Sequence, residues 1–354
     1  MVSPLSLKAA LALLVFWAEW ETKEQLLKAM DFKNEEEMLV WYDSVKRAEI
    51  IPEDDTSDNE SSEDIRNIYY TEPKDTAYSI VNSIWHNKAW DWEFREEYID
   101  LVKWRLNAEL WEGINKELVL KINSWVSEKT QWLIKEIIKD IDSSTPAILI
   151  NAIYLKSSRY DEFKELWNRD FTTIDWKVEQ KEMMKRTSQF GYYEDSNTQL
   201  VSLPMRWDIN MAFILWNAGN INNKLQNLTH EYEVEVIIPK IEIENSFVKS
   251  ELVNYLTGEW VIDCFWSTAN LSKMYKNSIN KRYVWDIIQK TKLKLDEKGV
   301  EAAAVTAILM VANWISMDKE EPKKKLFKAD KPFSFVIYQG GENPEIIFQW
   351  QYVK

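Results

Sequence analysis

Residues Leu293 to Met317 read LKLDEKGVEAAAVTAILMVANWISM, and the rest of the chain is organised around this stretch. It opens with Leu293 and Leu295 in the alternation of a half-buried strand, and a polar turn follows around Gly299. No charged residue occurs from Ala302 to Met317, in a chain of which 29% of the residues are charged. The run is too short to span a bilayer, which takes about 20 apolar residues. Two interpretations stay open: a core strand or core helix, or a strand that starts outside a sheet and enters it later.

The uncharged run can be buried on both faces if it forms a strand. Side chains two residues apart share one face of a strand. One face carries Val300, Ala302, Ala304, Thr306, Ile308 and Met310, and the other carries Ala303, Val305, Ala307, Leu309 and Val311. Burying either face would bury no charged side chain, so the segment suits the centre of a sheet.

Three segments resemble a known family. Asp296–Ala304 (DEKGVEAAA) resembles the hinge of the serpins, the serine-protease-inhibitor superfamily, and Phe327–Phe333 (FKADKPF) resembles the strand after the serpin reactive loop. Ile122–Ile134 (INSWVSEKTQWLI) departs from a further serpin pattern only at Trp132, although an amphipathic helix accounts for the same residues. The resemblance extends over nearly the whole chain.

This resemblance implies a fold and a domain plan. The fold class is mixed α/β (α+β), a serpin fold of three β-sheets with about eight helices and an exposed reactive-centre loop. A single serpin domain spans residues 1–354, and the reactive-centre loop lies at about 299–325. Ser3-Pro4-Leu5-Ser6 resembles the start of the second serpin helix, so a counterpart of the first helix is missing from this chain.

Composition argues against several other classes of protein. The net charge of −14 disfavours binding to nucleic acid and to anionic membranes. Cys264 is the only cysteine, and His86 and His230 are the only histidines, neither of them in a nucleophile motif. We therefore expect no enzyme, no cofactor, no metal site and no intrachain disulfide.

Glycine and tryptophan occur in unusual proportion, with seven glycines beside 19 tryptophans. Average glycine usage is about 7% of residues, and glycine supplies left-handed turns at the lowest steric cost. The resemblance implies glycine where this chain has Trp17, Trp20, Trp132 and Trp350. A tryptophan in a close-packed glycine position is expected to overpack the core.

The family resemblance also assigns roles to individual residues. Ser3 and Ser6 would belong to a polar cluster below the central sheet, the shutter, although a plain helix N-cap explains either serine equally well. The three groups of residues are the hinge (Glu297, Gly299, Val300, Glu301, Ala302, Ala303, Ala304), the shutter (Ser3, Ser6, Asn151, Gln289) and the breach at the loop's entry point (Lys156, Arg159, Tyr160).

The implied activity is suicide inhibition of an endopeptidase: the loop is cut and then inserts into the central sheet. Serpin loop insertion is a known instance of strand addition. Family spacing from Gly299 places the reactive bond between Asn313 and Trp314, with Met310, Val311 and Lys319 as alternative sites. Asn313 disfavours a trypsin-like target and is compatible with an asparagine-specific cysteine protease. The alternative function is that of a non-inhibitory serpin, acting as a carrier or chaperone or being an inactive variant.

The family resemblance and the sequence also lead to expectations about the binding partner and the cellular location of the protein. We expect a monomer whose partner is a target serine protease or cysteine protease, with no nucleic acid and no membrane. Glycosylation sequons at Asn59, Asn227 and Asn270 favour an extracellular, secreted glycoprotein over a cytoplasmic protein. Leu5–Trp17 is apolar but lacks a basic leader, so we expect a structural helix there and no signal peptide.

Overall fold

The polypeptide is seen in a computed structural model, which describes most of the chain outside the segment after the hinge. The described residues are 3–48, 77–89, 93–130, 132–141, 145, 147–158, 162–205, 208–247, 251, 269–276, 286–297, 299–300, 322–341 and 343–353. All structural statements below concern these residues.

Six α-helices lie in the described ranges, where about eight helices were expected for the whole chain. They are α1 (Pro4–Val15), α2 (Trp20–Ala29), α3 (Glu35–Ala48), α4 (Glu96–Asp100), α5 (Asn115–Lys129) and α6 (Ile221–Gln226). A π-helical turn, Leu101–Arg105, continues α4, and a 3-10 turn spans Ser272–Met274.

Helix α1 is the central helix of the molecule. It is apolar almost all round, which is the pattern of a helix buried on every side, and only Pro4 and Lys8 are not buried. The Ser3 side chain caps the helix by accepting from the Ser6 N–H, and Pro4 occupies the first turn, where its missing N–H costs nothing. Leu7 and residues 9–15 pack into one hydrophobic cluster, and Leu5 packs into a second.

Fifteen strands are described, and all of them belong to three β-sheets. The strands are β1 (Ala77–Asn87), β2 (Glu109–Gly113), β3 (Ala147–Ser158), β4 (Lys164–Thr172), β5 (Val178–Ser188), β6 (Gly191–Glu194), β7 (Thr198–Pro204), β8 (Ile209–Trp216), β9 (Tyr232–Pro239), β10 (Ile241–Phe247), β11 (Asp286–Asp296), β12 (Gly299–Val300), β13 (Lys323–Lys328), β14 (Phe333–Gln339) and β15 (Glu345–Tyr352).

The central sheet has six strands in the order β10-β11-β12-β3-β1-β2. A four-stranded sheet has the order β13-β9-β5-β4, and a five-stranded sheet has the order β15-β14-β8-β7-β6. Strand β12 ends at Val300 in the central sheet, and β13 begins at Lys323 at the edge of the four-stranded sheet. The intervening residues therefore connect two different sheets. The mixed α/β architecture with three sheets confirms the predicted fold class.

Two of the tryptophans expected to overpack the core do not enter it. The side chains of Trp20 and Trp132 are 82% and 70% exposed, so the expectation of overpacking is wrong for them. Their unusual feature lies in the backbone, because φ is +49° at Trp20 and +60° at Trp132. Trp17 is half-buried and meets Tyr98 edge-on, with ring centroids 5.7 Å apart.

Candidate functional site at the seam of the central sheet

The central sheet is closed at mid-height by direct pairing of β3 with β11. These strands run parallel, and residues 286–290 of β11 are in register with residues 148–152 of β3. Parallel pairs usually form between long, fully buried strands, and Ile148, Ile150, Ile287 and Ile288 are all buried. No strand lies between β3 and β11 at this level.

Towards the carboxyl ends of both strands, the two-residue strand β12 separates them. Val300 pairs antiparallel with Leu295 of β11 and with Ser157 of β3, while Gly299 pairs with Asp296 and Ser158. Gly299, from the predicted turn, and Val300 after it thus already lie between the two strands. The boundary between β3 and β11, closed at residues 286–290 and opened at β12, is called the seam below.

A row of polar side chains crosses the seam where it is closed. Asn82 of β1 pairs in register with Asn151 of β3, which pairs with Gln289 of β11. The Asn151 side-chain amide donates to Asn82 Oδ1 at 2.7 Å, and the Gln289 amide donates to Asn151 Oδ1 at 2.9 Å. A side-chain amide can both donate and accept, so it can extend such a row across three strands.

Helix α1 completes this cluster from below the sheet. The Ser6 hydroxyl donates to Asn151 Oδ1, and the Asn151 amide donates back to the Ser6 carbonyl at 3.0 Å. The Ser3 N–H donates to Gln289 Oε1 at 3.2 Å, and the Gln289 amide donates to the Ser3 carbonyl at 3.3 Å. The Ser3 hydroxyl donates to the Ile347 carbonyl at 2.6 Å, which ties the cluster to β15.

The structure brings together the four residues Ser3, Ser6, Asn151 and Gln289, and of the two serines only Ser3 is a helix N-cap. Ser3 is the N-cap, and it also bonds to Gln289 and Ile347. Asn82 is a fifth member that sequence reasoning missed. We call Ser3, Ser6, Asn82, Asn151 and Gln289 the shutter cluster.

All five members of the shutter cluster are at least 96% buried. Buried polar groups are tolerated when they are paired with one another, and an unpaired one costs about 1–3 kcal/mol. Serine, asparagine and glutamine carry no titratable group, so the cluster keeps its bonding pattern as pH changes. Any opening of the seam at this height separates Gln289 from Asn151 and breaks the row.

A second polar cluster holds the upper end of the seam. Lys240, between β9 and β10, lies 2.7 Å from Glu165, 3.2 Å from Glu182 and 3.3 Å from Glu297. Hydrogen bonds to these carboxylates, that of Glu165 first, raise the pKa of Lys240 above its ordinary value. The Glu297 carbonyl also accepts from the Phe163 N–H at 2.9 Å. Lys240, Glu165, Glu182 and Glu297 are called the upper ion cluster.

Glu297 was predicted as part of the hinge, but its lysine partner was not. In the sequence, Lys240 is visible only as a charged residue directly after Pro239, between two alternating strand patterns, and nothing there indicates its partners. Glu165 lies in β4, Glu182 lies in β5, and Glu297 directly follows β11. Because β4 and β5 belong to the four-stranded sheet and β11 to the central sheet, Lys240 joins these two sheets at the point where β12 begins.

The remaining predicted site residues are placed only in part. Lys156 lies in β3 and pairs in register with Ala77 of β1. Arg159, Tyr160, the hinge residues Glu301–Ala304 and the candidate reactive-bond residues Met310, Val311, Asn313, Trp314 and Lys319 lie outside the described residues.

Metal binding and membrane insertion find no support in the described ranges. They hold no group of three or more His, Cys, Asp or Glu side chains arranged around a common point. None of their helices combines the length and the apolarity that crossing a membrane requires.

Comparison with known proteins places this geometry in a family. The sequence model of the family "Serpin (serine protease inhibitor)" matches residues 1–349. A leukocyte elastase inhibitor of Xenopus laevis is 29% identical over an alignment of 380 positions, which covers 98% of this chain and 90% of that protein. An uncharacterized serpin-like protein of Thermococcus kodakarensis is 30% identical over 279 residues. That match covers 73% of this chain and 62% of the archaeal protein, less than two thirds of its length.

Solved structures agree on the fold. Native tengpin, a thermophilic serpin, superposes with a TM-score of 0.79 at 22% identity, covering 100% of this chain and 88% of tengpin. Thyroxine-binding globulin in complex with thyroxine superposes with a TM-score of 0.75 at 18% identity, covering 100% and 92%. At such identities the likeness concerns architecture alone, but the family match spans residues 1–349. The chain belongs to the serpin family.

Proposed function

We propose that this chain inhibits an endopeptidase by a single-use mechanism. The catalytic serine or cysteine of the protease attacks a carbonyl carbon in the loop after Val300. An ester or thioester bond forms, the peptide bond breaks, and the amine leaves as a new amino terminus. The freed segment then extends β12 between β3 and β11, and the acylated protease travels with it.

The seam is the observation that carries this proposal. Strand β12 has the pairing of an inserted strand on both sides but comprises only Gly299 and Val300. Just beyond it the same two neighbours close on each other at residues 286–290. A strand can therefore be lengthened there if the direct β3–β11 pairing opens, and the uncharged run that follows Glu301 is a suitable strand.

The register of β12 predicts where each inserted residue would come to lie. Because Val300 pairs with Leu295 and Ser157, position 302 would fall between Leu293 and Leu155, and position 304 between Thr291 and Ile153. These four neighbours are at most 2% exposed. The even-numbered face must therefore be small or apolar, and Ala302 and Ala304 meet that requirement.

The same register brings Thr306 to the shutter cluster. Position 306 would fall between Asn151 and Gln289, the two residues whose hydrogen bond an entering strand must break. Thr306 is the polar residue of the even-numbered face between Ala304 and Ile308. Its hydroxyl can both donate and accept, so it can restore a bond on each side of the opened row.

The reactive bond is proposed at Asn313–Trp314, with Met310, Val311 and Lys319 as the alternatives. Asparagine before the cut favours an asparagine-specific cysteine protease as the target, and cleavage at Lys319 favours a trypsin-like serine protease. Secretion, which the three sequons favour, stays a prediction, and Asn227 is an exposed residue.

The decisive experiment mixes the chain with a panel of serine and cysteine proteases and separates the products on a denaturing gel. We expect a covalent complex with at least one protease, and a cut within residues 308–320 in mass spectra of the released carboxyl-terminal peptide. A chain that every protease cuts in this range without any covalent complex is a non-inhibitory member of the family, and the proposal is then wrong.

A further inference from the structure

The residues with a left-handed backbone belong to an unusual set of types. Apart from glycines, nine described residues have a positive φ, and four of these are asparagine or aspartate: Asp31, Asn107, Asn115 and Asp208. The other five are all tryptophans: Trp20, Trp132, Trp167, Trp176 and Trp216, with φ between +49° and +69°. Asparagine and aspartate tolerate this region because their short polar side chains bond locally, whereas a bulky residue there is an outlier.

Trp176 occupies the glycine position of a tight hairpin. The loop Thr173–Lys177 (TIDWK) joins β4 to β5, with the Trp176 N–H donating to the Thr173 carbonyl at 3.0 Å and the Thr173 N–H donating to the Lys177 carbonyl at 2.8 Å. A three-residue hairpin loop reserves its last, left-handed position for glycine. The Trp176 side chain is 87% exposed, so packing does not offset its strained φ of +64°.

Trp167 and Trp132 occupy two other settings typical of glycine. The β4–β5 register shifts between Glu165 and Asn168, and Trp167, with φ of +55°, lies at this irregularity, as glycine does in a common type of β-bulge. Trp132 follows the carboxyl end of α5 and donates its N–H to the Ser127 carbonyl, and helices commonly end with a left-handed glycine. Their side chains are 75% and 70% exposed.

Other tryptophans of the same chain behave as tryptophans usually do. Trp85 and Trp125 are 1% and 6% exposed and pack edge-on against each other with ring centroids 6.0 Å apart. The left-handed tryptophans share a backbone conformation but no common element: they begin α2, follow α5, lie in β4 and its hairpin, and end β8. Tryptophans of a binding surface would be expected to lie close together. These five share a positive φ instead, and a positive φ is the backbone conformation that glycine adopts most easily.

We infer that the cell of origin makes this chain with glycine at positions 20, 132, 167, 176 and 216, and with tryptophan at positions 85 and 125. One event accounts for all five positions. The codon UGA is read as tryptophan in some genetic codes and as glycine in others, whereas UGG means tryptophan. A gene that uses UGA for glycine therefore yields this sequence, poor in glycine and rich in tryptophan, when UGA is read as tryptophan.

The first test examines the gene and the protein from its own cells. We expect UGA at the five left-handed positions and UGG at Trp85 and Trp125. In tryptic digests of the native protein, the peptide Asp170–Lys177 (DFTTIDWK) should carry glycine in place of Trp176, while the control peptide Ile122–Lys129 (INSWVSEK) keeps Trp125. UGG codons at the five positions, or tryptophan at position 176 of the native peptide, would overturn the inference.

The second test measures what the backbone prefers, whatever the gene encodes. Trp132→Gly, Trp167→Gly and Trp176→Gly should each raise the melting temperature, by about 1–4 °C, because a left-handed strain is removed. Trp104→Gly is the matched control: its side chain is 83% exposed, but it lies in the helical turn Leu101–Arg105, where glycine lowers stability. Equal losses of stability in all four variants would contradict the inference.

Discussion

At the scale of single residues, the shutter cluster decides how firmly the seam is closed. Asn151 occupies the middle of the apolar strand β3, yet it is fully buried and bonded to three neighbours, Asn82, Ser6 and Gln289. Leaving any of these groups without a partner costs more than the bond itself contributes. The cluster therefore stabilises the closed seam and opposes the entry of a strand.

Asn151→Ala should lower the stability of the protein by about 2–4 kcal/mol, because the Gln289 amide, Asn82 Oδ1 and the Ser6 hydroxyl each lose a buried hydrogen bond to Asn151. Thermal unfolding followed by circular dichroism measures the change. Asn245→Ala is the matched control, since Asn245 lies on the edge strand β10 of the same sheet and is only half-buried. Similar losses in both variants would show that the shutter cluster has no special role.

Gln289→His should make stability depend on pH near neutrality. The parent cluster does not titrate, but a histidine at this fully buried position would favour its neutral form, so its folded pKa would lie below the unfolded value of about 6.5. Stability is then complete above pH 6.5 and falls as the pH drops below it. Melting temperatures at pH 5.5 and 8.0 test this, and a parent protein with the same pH dependence would contradict it.

At the scale of elements, the upper ion cluster fastens the end of β11 to β4 and β5. Three carboxylates meet one ammonium group, and the Lys240 side chain is only 24% exposed. Partial burial makes such contacts stronger than those of surface pairs, which contribute little. Removing the lysine leaves Glu165, Glu182 and Glu297 to repel one another at the point where β12 enters the sheet.

Lys240→Met should lower stability by about 1–2 kcal/mol and should speed the loss of inhibitory activity during incubation of the uncut protein, because an unfastened seam admits the loop spontaneously. Lys185→Met serves as control, since Lys185 is 39% exposed and its ammonium group lies 3.8 Å from the Glu235 carboxylate. The difference between the variants should shrink in about 1 M salt, where charges are screened within about 3 Å. Identical decay rates would refute the fastening role.

If the segment after Val300 extends β12 in register, positions 303 and 304 should differ in how well they tolerate a charged side chain. By the register of β12, Ala304 would meet the buried Thr291 and Ile153, whereas Ala303 would meet Lys292, whose side chain is 25% exposed. Ala304→Arg should turn the inhibitor into a substrate, with at least a tenfold drop in covalent complex per cut chain, because a buried unpaired charge is costly. Ala303→Arg should keep most of the complex. Equal yields from both variants would show that β12 does not continue in this register.

At the scale of the whole molecule, long apolar patterns were predictable and short contacts were not. The buried helix α1 and the strand β3, with Asn151 in its middle, follow from long and nearly uninterrupted apolar runs. Strand β12 has two residues, too few for any periodicity to indicate. Asn82 shares a strand face with the apolar Ile80 and Ile84, and Lys240 meets Glu297 across 57 positions of sequence, so only the assembled sheets reveal their roles.

The uncut molecule should be less stable than the cut one. Complete insertion adds a central strand to the sheet. Burial of Ile308 and Met310 would stabilise the cut molecule by about 1.5–3 kcal/mol each, and every new hydrogen bond between strands would add about 0.5–1.5 kcal/mol. A gain on the order of 10 kcal/mol raises the melting temperature of a domain this large by about 10–20 °C. Differential scanning calorimetry before and after cleavage within 308–320 measures the shift, and cleaved Ala304→Arg, unable to insert, should show little of it. A cut parent chain that melts at or below the temperature of the uncut chain would mean that the closed seam is already the most stable arrangement, and loop insertion could then not drive inhibition.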